Sequence, residues 1–454
     1  MRVSSNSRIP LLINLILIGV LICIFGFVLW KEKNIDDRDI IQIYNYYYII
    51  IIISIIFWVC LLFFDDKIKI NIFLMACSIF VGIYIIELIL TYIPTKKPAD
   101  ILIQKLLKEK NIIYDNRTRM DMVNILNQNG LETVPAIPPT HNLDQFTILD
   151  GGKNIMPISG VSKKFTVHCK EQGTWEFYTS DRHGFNNPKK VWEISGKKWV
   201  LTGDSFVLGS CVKNKENISQ RLSSIMNIPV ISLGYGGNGP LLELATIVEY
   251  AKYIKPEKLL WFYYEDDFQQ LHREKQTLLK KYLTKNYSQN LINKQNYVDN
   301  KLIKMVNDSI KNKIINTPKK NILDIVFDII TVRNIRSFII ERIKRFTFVP
   351  DIELFKKILI KADKIVKEWG GDLYFVYLPG YSRIAGNISF SENPEKYTEV
   401  IKLVKDLGIQ VIDINKNVFE KQKNPLKLFP LGLQGHYNSH GYKLISDEIV
   451  KLIK

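Results

Sequence analysis

Three long apolar runs open the chain before its pattern changes. Ile9 to Trp30 holds no charged residue, and as a helix it is long enough to cross a hydrocarbon core of ~30 Å. It outruns a signal-peptide core of roughly 7–15 residues and shows no small-residue cleavage site before Lys31-Glu32-Lys33, so a membrane-spanning helix is expected rather than a cleaved leader. Tyr46 to Phe64 and Ile70 to Ile93 repeat the pattern. Together they predict a membrane domain over 1–94 with helices at about 9–30, 46–64 and 70–93. Trp30, Trp58 and the tyrosines between Tyr44 and Tyr48 suit the two interfaces. Glu87 falls inside the third run, where a functional role, an interfacial position and a helix contact are all open.

Pro94-Thr95-Lys96-Lys97-Pro98 ends the third run and begins a linker over 95–150. Within it Ala99 to Lys110 is helix-forming, and a second helix from Arg117 should stop at Asn127-Gln128-Asn129-Gly130. From 151 to 196 the pattern is β-like, with Phe165 to His168 and Trp175 to Tyr178 parted by a turn containing Glu171-Gln172-Gly173. Beyond 197, apolar stretches of strand length at Val200 to Thr202, Leu259 to Tyr264, Leu373 to Leu378 and Gln410 to Ile414 alternate with helical segments, of which Leu241 to Ile254 reads as amphipathic. Such alternation predicts an α/β fold, a three-layer arrangement with helices on both faces of a mostly parallel sheet. A lysine-rich helical stretch at about 268–350 is long for a connection, and reads equally as a lid, an acceptor-binding insertion or a surface elaboration.

Composition changes this picture in two places. The formal net charge is +17, and a basic surface favours anionic lipid or glycan. The lysines are scattered and form no nucleic-acid motif, so no nucleic-acid partner is expected. Lys and Arg are nearly balanced across the three predicted spans and do not set their orientation. Cys23, Cys60 and Cys77 lie in the apolar runs, which leaves Cys169 and Cys211 outside them; a disulfide between the two in an exported domain and two free thiols are both open, since sequence does not show their separation. No cysteines have zinc-ligand spacing, and the four-residue spacing of His436 and His440 has no acidic or cysteine partner in a recognised pattern, so no metal or cofactor is expected.

The candidate chemistry sits at strand ends. Gly203-Asp204-Ser205 follows the buried run Trp199 to Thr202, and a sharp turn at Gly203 would leave the Ser205 hydroxyl at the mouth of the sheet. A polar strand-end turn is the plain structural reading, and a nucleophile needs a base within reach. Further on come the Gly-rich turn Gly234-Tyr235-Gly236-Gly237-Asn238-Gly239-Pro240, the acidic end Glu265-Asp266-Asp267 of the Leu259 strand, and Gly435-His436-Tyr437-Asn438 ahead of a final helix.

In this order the four stretches resemble the motif blocks of the SGNH, or GDSL-type, hydrolases, a family of serine esterases and acyltransferases. The likeness covers roughly residues 155 to 454 and is nearest to bacterial membrane-anchored members, in which a segment like Ser180-Asp181-Arg182-His183-Gly184-Phe185-Asn186-Asn187-Pro188 precedes the nucleophile strand. The resemblance implies an SGNH-like catalytic domain over 197–454 with Ser205 as nucleophile and His436 as its base. It also implies an oxyanion hole from the N–H groups of Ser205 and Gly237 with a third group at Asp266. The substrate it implies is an acyl ester of an envelope glycan, with the domain outside the cytoplasm. The three spans are too few to form a donor channel, so acyl delivery would call on a partner membrane protein.

Two positions depart from the family pattern. Asp266 stands where the family has an asparagine donor, and a carboxylate serves there only when protonated. Gln434 and Leu433 occupy the positions of the acid that orients the histidine, which leaves a Ser-His dyad or a carboxylate from elsewhere, such as Asp413. His440 is the rival base. A catalytically degenerate, glycan-binding relative is the alternative to an enzyme.

Overall fold

The computed structural model describes residues 8–33, 38–92, 105–109, 111–112, 114–140, 143, 155–315, 322–386 and 394–453. They fall into two compact units, one of Met1–Lys96 with Pro318–Phe346 and one of Lys97–Thr317 with Thr347–Lys454.

In the first unit the apolar runs form helices Arg8–Glu32, Arg38–Leu61 and Asp66–Tyr92. Three stretches, Arg8–Glu32, Tyr44–Leu61 and Asp66–Tyr92, are long and apolar enough to cross a membrane. Helices Ile322–Ile330 and Arg333–Thr347 belong to the same unit. The stretch expected as one insertion at 268–350 is therefore divided between the units. The first of these two helices is apolar apart from Asp324 and Asp328, a composition closer to the spans than to a solvated surface. Glu87 is buried here. Its carboxylate accepts from the backbone N–H of Asn334 at 2.8 Å and of Ile335 at 3.0 Å. These are first-turn donors that no intrahelical carbonyl satisfies. The acid inside the third run thus caps the start of helix Arg333–Thr347, which decides among its open readings for a helix contact.

The second unit holds two sheets. Strands β1 (Thr133–Pro135), β2 (Phe165–Cys169) and β3 (Glu176–Thr179) make a small sheet in which β1 and β2 run parallel and β2 and β3 antiparallel. Helix Arg119–Gln128 packs beside it and ends at Asn129 and Gly130, the latter at φ +81°. Strands β4 (Trp199–Thr202), β5 (Val230–Ser232), β6 (Lys258–Tyr264), β7 (Asp372–Leu378) and β8 (Gln410–Asp413) form the main sheet in the order β5-β4-β6-β7-β8, every neighbouring pair parallel.

Alternate residues of each strand go to opposite faces, so the sheet carries two cores. Val200, Ile231, Trp261 and Phe375 pack with helix Ile352–Glu368 and the Leu241 helix on one side. Trp199, Leu201, Leu260, Phe262 and Ile412 pack with helices Ile218–Met226 and Ser439–Ile453 on the other. This is a three-layer α/β fold. The Leu241 segment differs from its amphipathic expectation, since every residue from Pro240 to Ala251 is buried. Leu278, Tyr282 and Leu291 join its core. Buried Glu249 accepts from the Tyr282 hydroxyl at 2.8 Å and the Leu291 N–H at 2.7 Å, giving the inward carboxylate its partners. The part of the long stretch up to Ile315 that carries these residues is core cover rather than surface elaboration.

Candidate active site

The turn that carries Ser205 is tightly determined. A Cβ on Gly203 would come within 2.5 Å of Val207 Cγ2, so only glycine lets β4 turn this sharply into the short helix Ser205–Leu208. Asp204 caps that helix, its Oδ1 accepting from the Phe206 N–H at 2.9 Å, and Ser205 is left as the first helical residue. Its own N–H is one of the donors with no intrahelical acceptor. The Ser180-to-Pro188 segment holds this turn from below the surface. Asn186 Nδ2 donates to Leu208 O at 2.9 Å, while Asn187 donates to Ser232 O and accepts from Ser232 N, both at 2.8 Å. Buried Asp181 organises that loop, accepting from Asn187 Nδ2 at 2.8 Å and from Trp192 Nε1 at 2.7 Å.

His436 arrives from the loop ahead of the final helix, anchored by the buried Tyr437, whose hydroxyl donates to Pro379 O at 2.6 Å. Its Nε2 lies 2.7 Å from Ser205 Oγ and its Nδ1 lies 2.7 Å from Glu171 Oε1. The other Glu171 oxygen accepts from the His436 backbone N–H at 2.8 Å. A carboxylate only accepts, so Nδ1 carries the proton, which leaves Nε2 free to take one from Ser205. Gly435 makes room, since a Cβ there would sit 2.6 Å from Glu171 Oε2. Ser205, His436 and Glu171 thus form one hydrogen-bonded row of hydroxyl, imidazole and carboxylate.

In the sequence Glu171 is only part of a turn. It stands two residues past the end of β2, 265 positions from its partner. Cys169 is disulfide-bonded to Cys211, just beyond the Ser205 helix, with Cα atoms 5.3 Å apart. The bond ties the segment bearing Glu171 to the segment bearing Ser205. Closing a loop of sequence separation 42 contributes about 4 kcal/mol in the chain-entropy picture. Replacing both cysteines by alanine is expected to lower the unfolding midpoint and, in the protein that remains folded, to loosen Glu171 and reduce turnover. Thermal unfolding and ester kinetics on one preparation would check this, and turnover unchanged at lower stability would make the bond purely structural.

The site's electrostatics follow from burial and the pairing of His436 with Glu171. Burial pulls the His436 imidazole down, but the Glu171 carboxylate outweighs it, with help from Asp204 and Asp266, and leaves the ring above its ordinary pKa. Burial raises Glu171, and His436 more than reverses this, holding the acid below the usual carboxylate range. Asp204 is pushed up to about 7 by burial and then by the nearby Asp266.

A cavity of about 470 Å³ opens at this site, lined by Ser205, His436, Glu171, Gly236 and Gly237 among others. Gly237 has φ +73°, and a Cβ there would meet Thr140 Oγ1 at 2.7 Å, so the close backbone approach depends on glycine. Asp266 does not line the cavity. It stands at the start of helix Asp267–Glu274, its carboxylate grouped within 4.8 Å of those of Asp204 and Asp267. Asn238 is also turned away, its Nδ2 donating to Gly203 O at 3.3 Å. Asp413 accepts from Tyr397 and from Lys416 N, not from His436. Gln434 and His440 are exposed and outside the cavity lining.

No protein-family model matches the chain, and no curated protein matches it in sequence. Among solved structures it is similar to an acetyl xylan esterase, AlAXEase, at 11% identity over 57% of this chain and 100% of the other, with a TM-score of 0.34. A second similar structure is a putative lipolytic protein of the G-D-S-L family from Desulfitobacterium hafniense DCB-2, at 12% identity, 57% and 99% coverage and a TM-score of 0.32. A third is the salicylyl-acyltransferase SsfX3 from a tetracycline biosynthetic pathway, at 10% identity, 57% and 55% coverage and a TM-score of 0.29.

Proposed function

We propose that this chain is a membrane-anchored serine esterase or O-acyltransferase of the SGNH type, acting on acyl esters of cell-envelope glycans. The observation that carries the reading is His436, with Nε2 on Ser205 Oγ and Nδ1 on Glu171, each at 2.7 Å. In the proposed reaction Ser205 Oγ attacks the acyl carbonyl carbon while its proton passes to His436 Nε2. The resulting oxyanion meets the N–H groups of Ser205 and Gly237. Collapse breaks the ester C–O bond, and the alcohol leaves with the proton from His436. Water, or an acceptor hydroxyl, then attacks the acyl-serine with His436 again removing the proton, which regenerates Ser205. Glu171 stays ionised throughout and stabilises the imidazolium.

The disulfide supports a position outside the cytoplasm, because such bonds persist in oxidising compartments. The three apolar helices support anchoring in a membrane. An acyl donor delivered by a partner membrane protein completes the proposal for the transfer case.

The test is covalent labelling of the full chain in detergent with a fluorophosphonate probe. Labelling of the parent, lost in Ser205→Ala and in His436→Ala, is the expected result. No labelling of a demonstrably folded parent would overturn the enzyme reading in favour of a glycan-binding relative.

A further inference from the structure

The Ser205 cavity has a second chemical feature that the acyl-transfer steps leave unused. Two cations line it, Arg119 and Lys170, together with the rings of Tyr114, Trp175 and Tyr235. The one carboxylate in the same lining is Glu171, which both ring and backbone of His436 engage. Lys170 Nζ donates to Asp115 O and Arg117 O at 2.8 Å each, and lies 4.9 Å from the Tyr114 ring centroid and 5.1 Å from that of Trp175. Arg119 makes one hydrogen bond, from Nη1 to Ala136 O at 3.1 Å. Its Nε is buried without a partner, and it forms no ion pair among the described residues.

The guanidinium is half-buried, its Cζ 6.0 Å from the Trp175 ring centroid. Taking a charge out of water costs several kcal/mol unless a counter-charge and hydrogen bonds compensate. Arginine is moreover the residue whose planar fork matches carboxylate and phosphate in two parallel hydrogen bonds. Here the donors are present, and among the described residues no carboxylate pairs with Arg119. His168, lining the same cavity, does not add to the charge, because burial, then His436 and Arg119, depress its pKa to about 3.

We propose that Arg119, assisted by Lys170, is an oxyanion-binding subsite within the Ser205 cavity, so that the glycan whose ester is processed carries a carboxylate or phosphate close to the acyl group. The proposal rests on the glycan reading above for its substrate class, and names an anionic rather than a neutral polymer. The rings beside the two cations would stack on sugar faces while the cations engage the anion.

Calorimetric titration separates the subsite from catalysis. The full chain in detergent, carrying Ser205→Ala, is titrated with trigalacturonate, with xylotriose and with inorganic phosphate. At least tenfold tighter binding of trigalacturonate than of xylotriose is expected. Arg119→Gln should abolish that preference, and Arg119→Lys should keep part of it. Phosphate binding that is lost in Arg119→Gln, with trigalacturonate no better than xylotriose, would support the subsite and assign it to a phosphate-bearing glycan. Equal binding of all three, or a preference that Arg119→Gln leaves intact, would overturn the proposal. An unlabelled parent that still prefers the anion would overturn the esterase reading and keep the subsite.

Discussion

Replacing Ser205 by alanine, or His436 by alanine, is expected to lower kcat for an acetyl ester by about 10⁴-fold or more, and replacing both to cost little beyond either alone. The reason is the contact between Nε2 and Oγ at 2.7 Å. A serine hydroxyl is a poor nucleophile until a base takes its proton, and a base without its nucleophile has nothing to activate. The two side chains therefore act as one unit, and their losses do not add. The residual rate would come from the Ser205 and Gly237 N–H groups and from substrate binding, both of which survive each substitution. Initial rates with 4-nitrophenyl acetate, beside an unfolding midpoint for each variant, decide the matter. Losses that multiply in the double variant would mean that the serine and the histidine act independently.

Glu171→Gln is expected to be nearly as costly, lowering kcat by about 10³–10⁴-fold, although position 171 lies on a turn of the small β sheet. An amide in that place removes the charge that stabilises the imidazolium, and it can present an N–H to Nδ1, favouring the tautomer in which Nε2 is protonated and cannot accept from Ser205. The pH profile gives a second readout. Burial alone pulls His436 down and Glu171 is the largest contribution pulling it up. The base works when neutral, so in the parent the acid limb of kcat/KM should fall above the ordinary histidine pKa of about 6.5. In Glu171→Gln that limb should move to lower pH while the plateau falls. A limb that stays in place would assign the raised pKa to Asp204 and Asp266 instead. Gln434→Ala should change neither quantity, since Gln434 is exposed and does not line the cavity.

The parts of the site legible in the sequence were those with a local reason for being where they are. Gly203 and Ser205 close an apolar run of strand length, Gly237 lies in a turn that only glycine can make, and His436 precedes a helix with its own period. Each is a strand-end or helix-start signal, readable within about ten residues. Glu171 had no such signal. In the sequence it is one acid in a Glu-Gln-Gly turn, and turns favour polar residues whatever they do. Its role depends on a hairpin, a disulfide to Cys211 and a gap left by Gly435, none of which is a property of its neighbours along the chain. For Asp266 the motif position suggests an oxyanion donor, while its carboxylate groups with those of Asp204 and Asp267 and does not line the cavity.

The sequence by itself determined the elements. Apolar period and length placed the long helices, the parallel strands and the strand-end loops, because burial of a strand or a helix face leaves a repeating mark on its own residues. The tertiary structure alone decided which loops meet. It divided the helical stretch between two units, and it gave Glu87 a helix start to cap. It also joined Glu171 to His436 across 265 positions and placed Arg119 in the Ser205 cavity with no ion pair among the described residues. Such pairings are set by sheet order, crosslinks and the packing of one unit's layers, and the chemistry of a charged side chain is settled only by what it faces once they are in place.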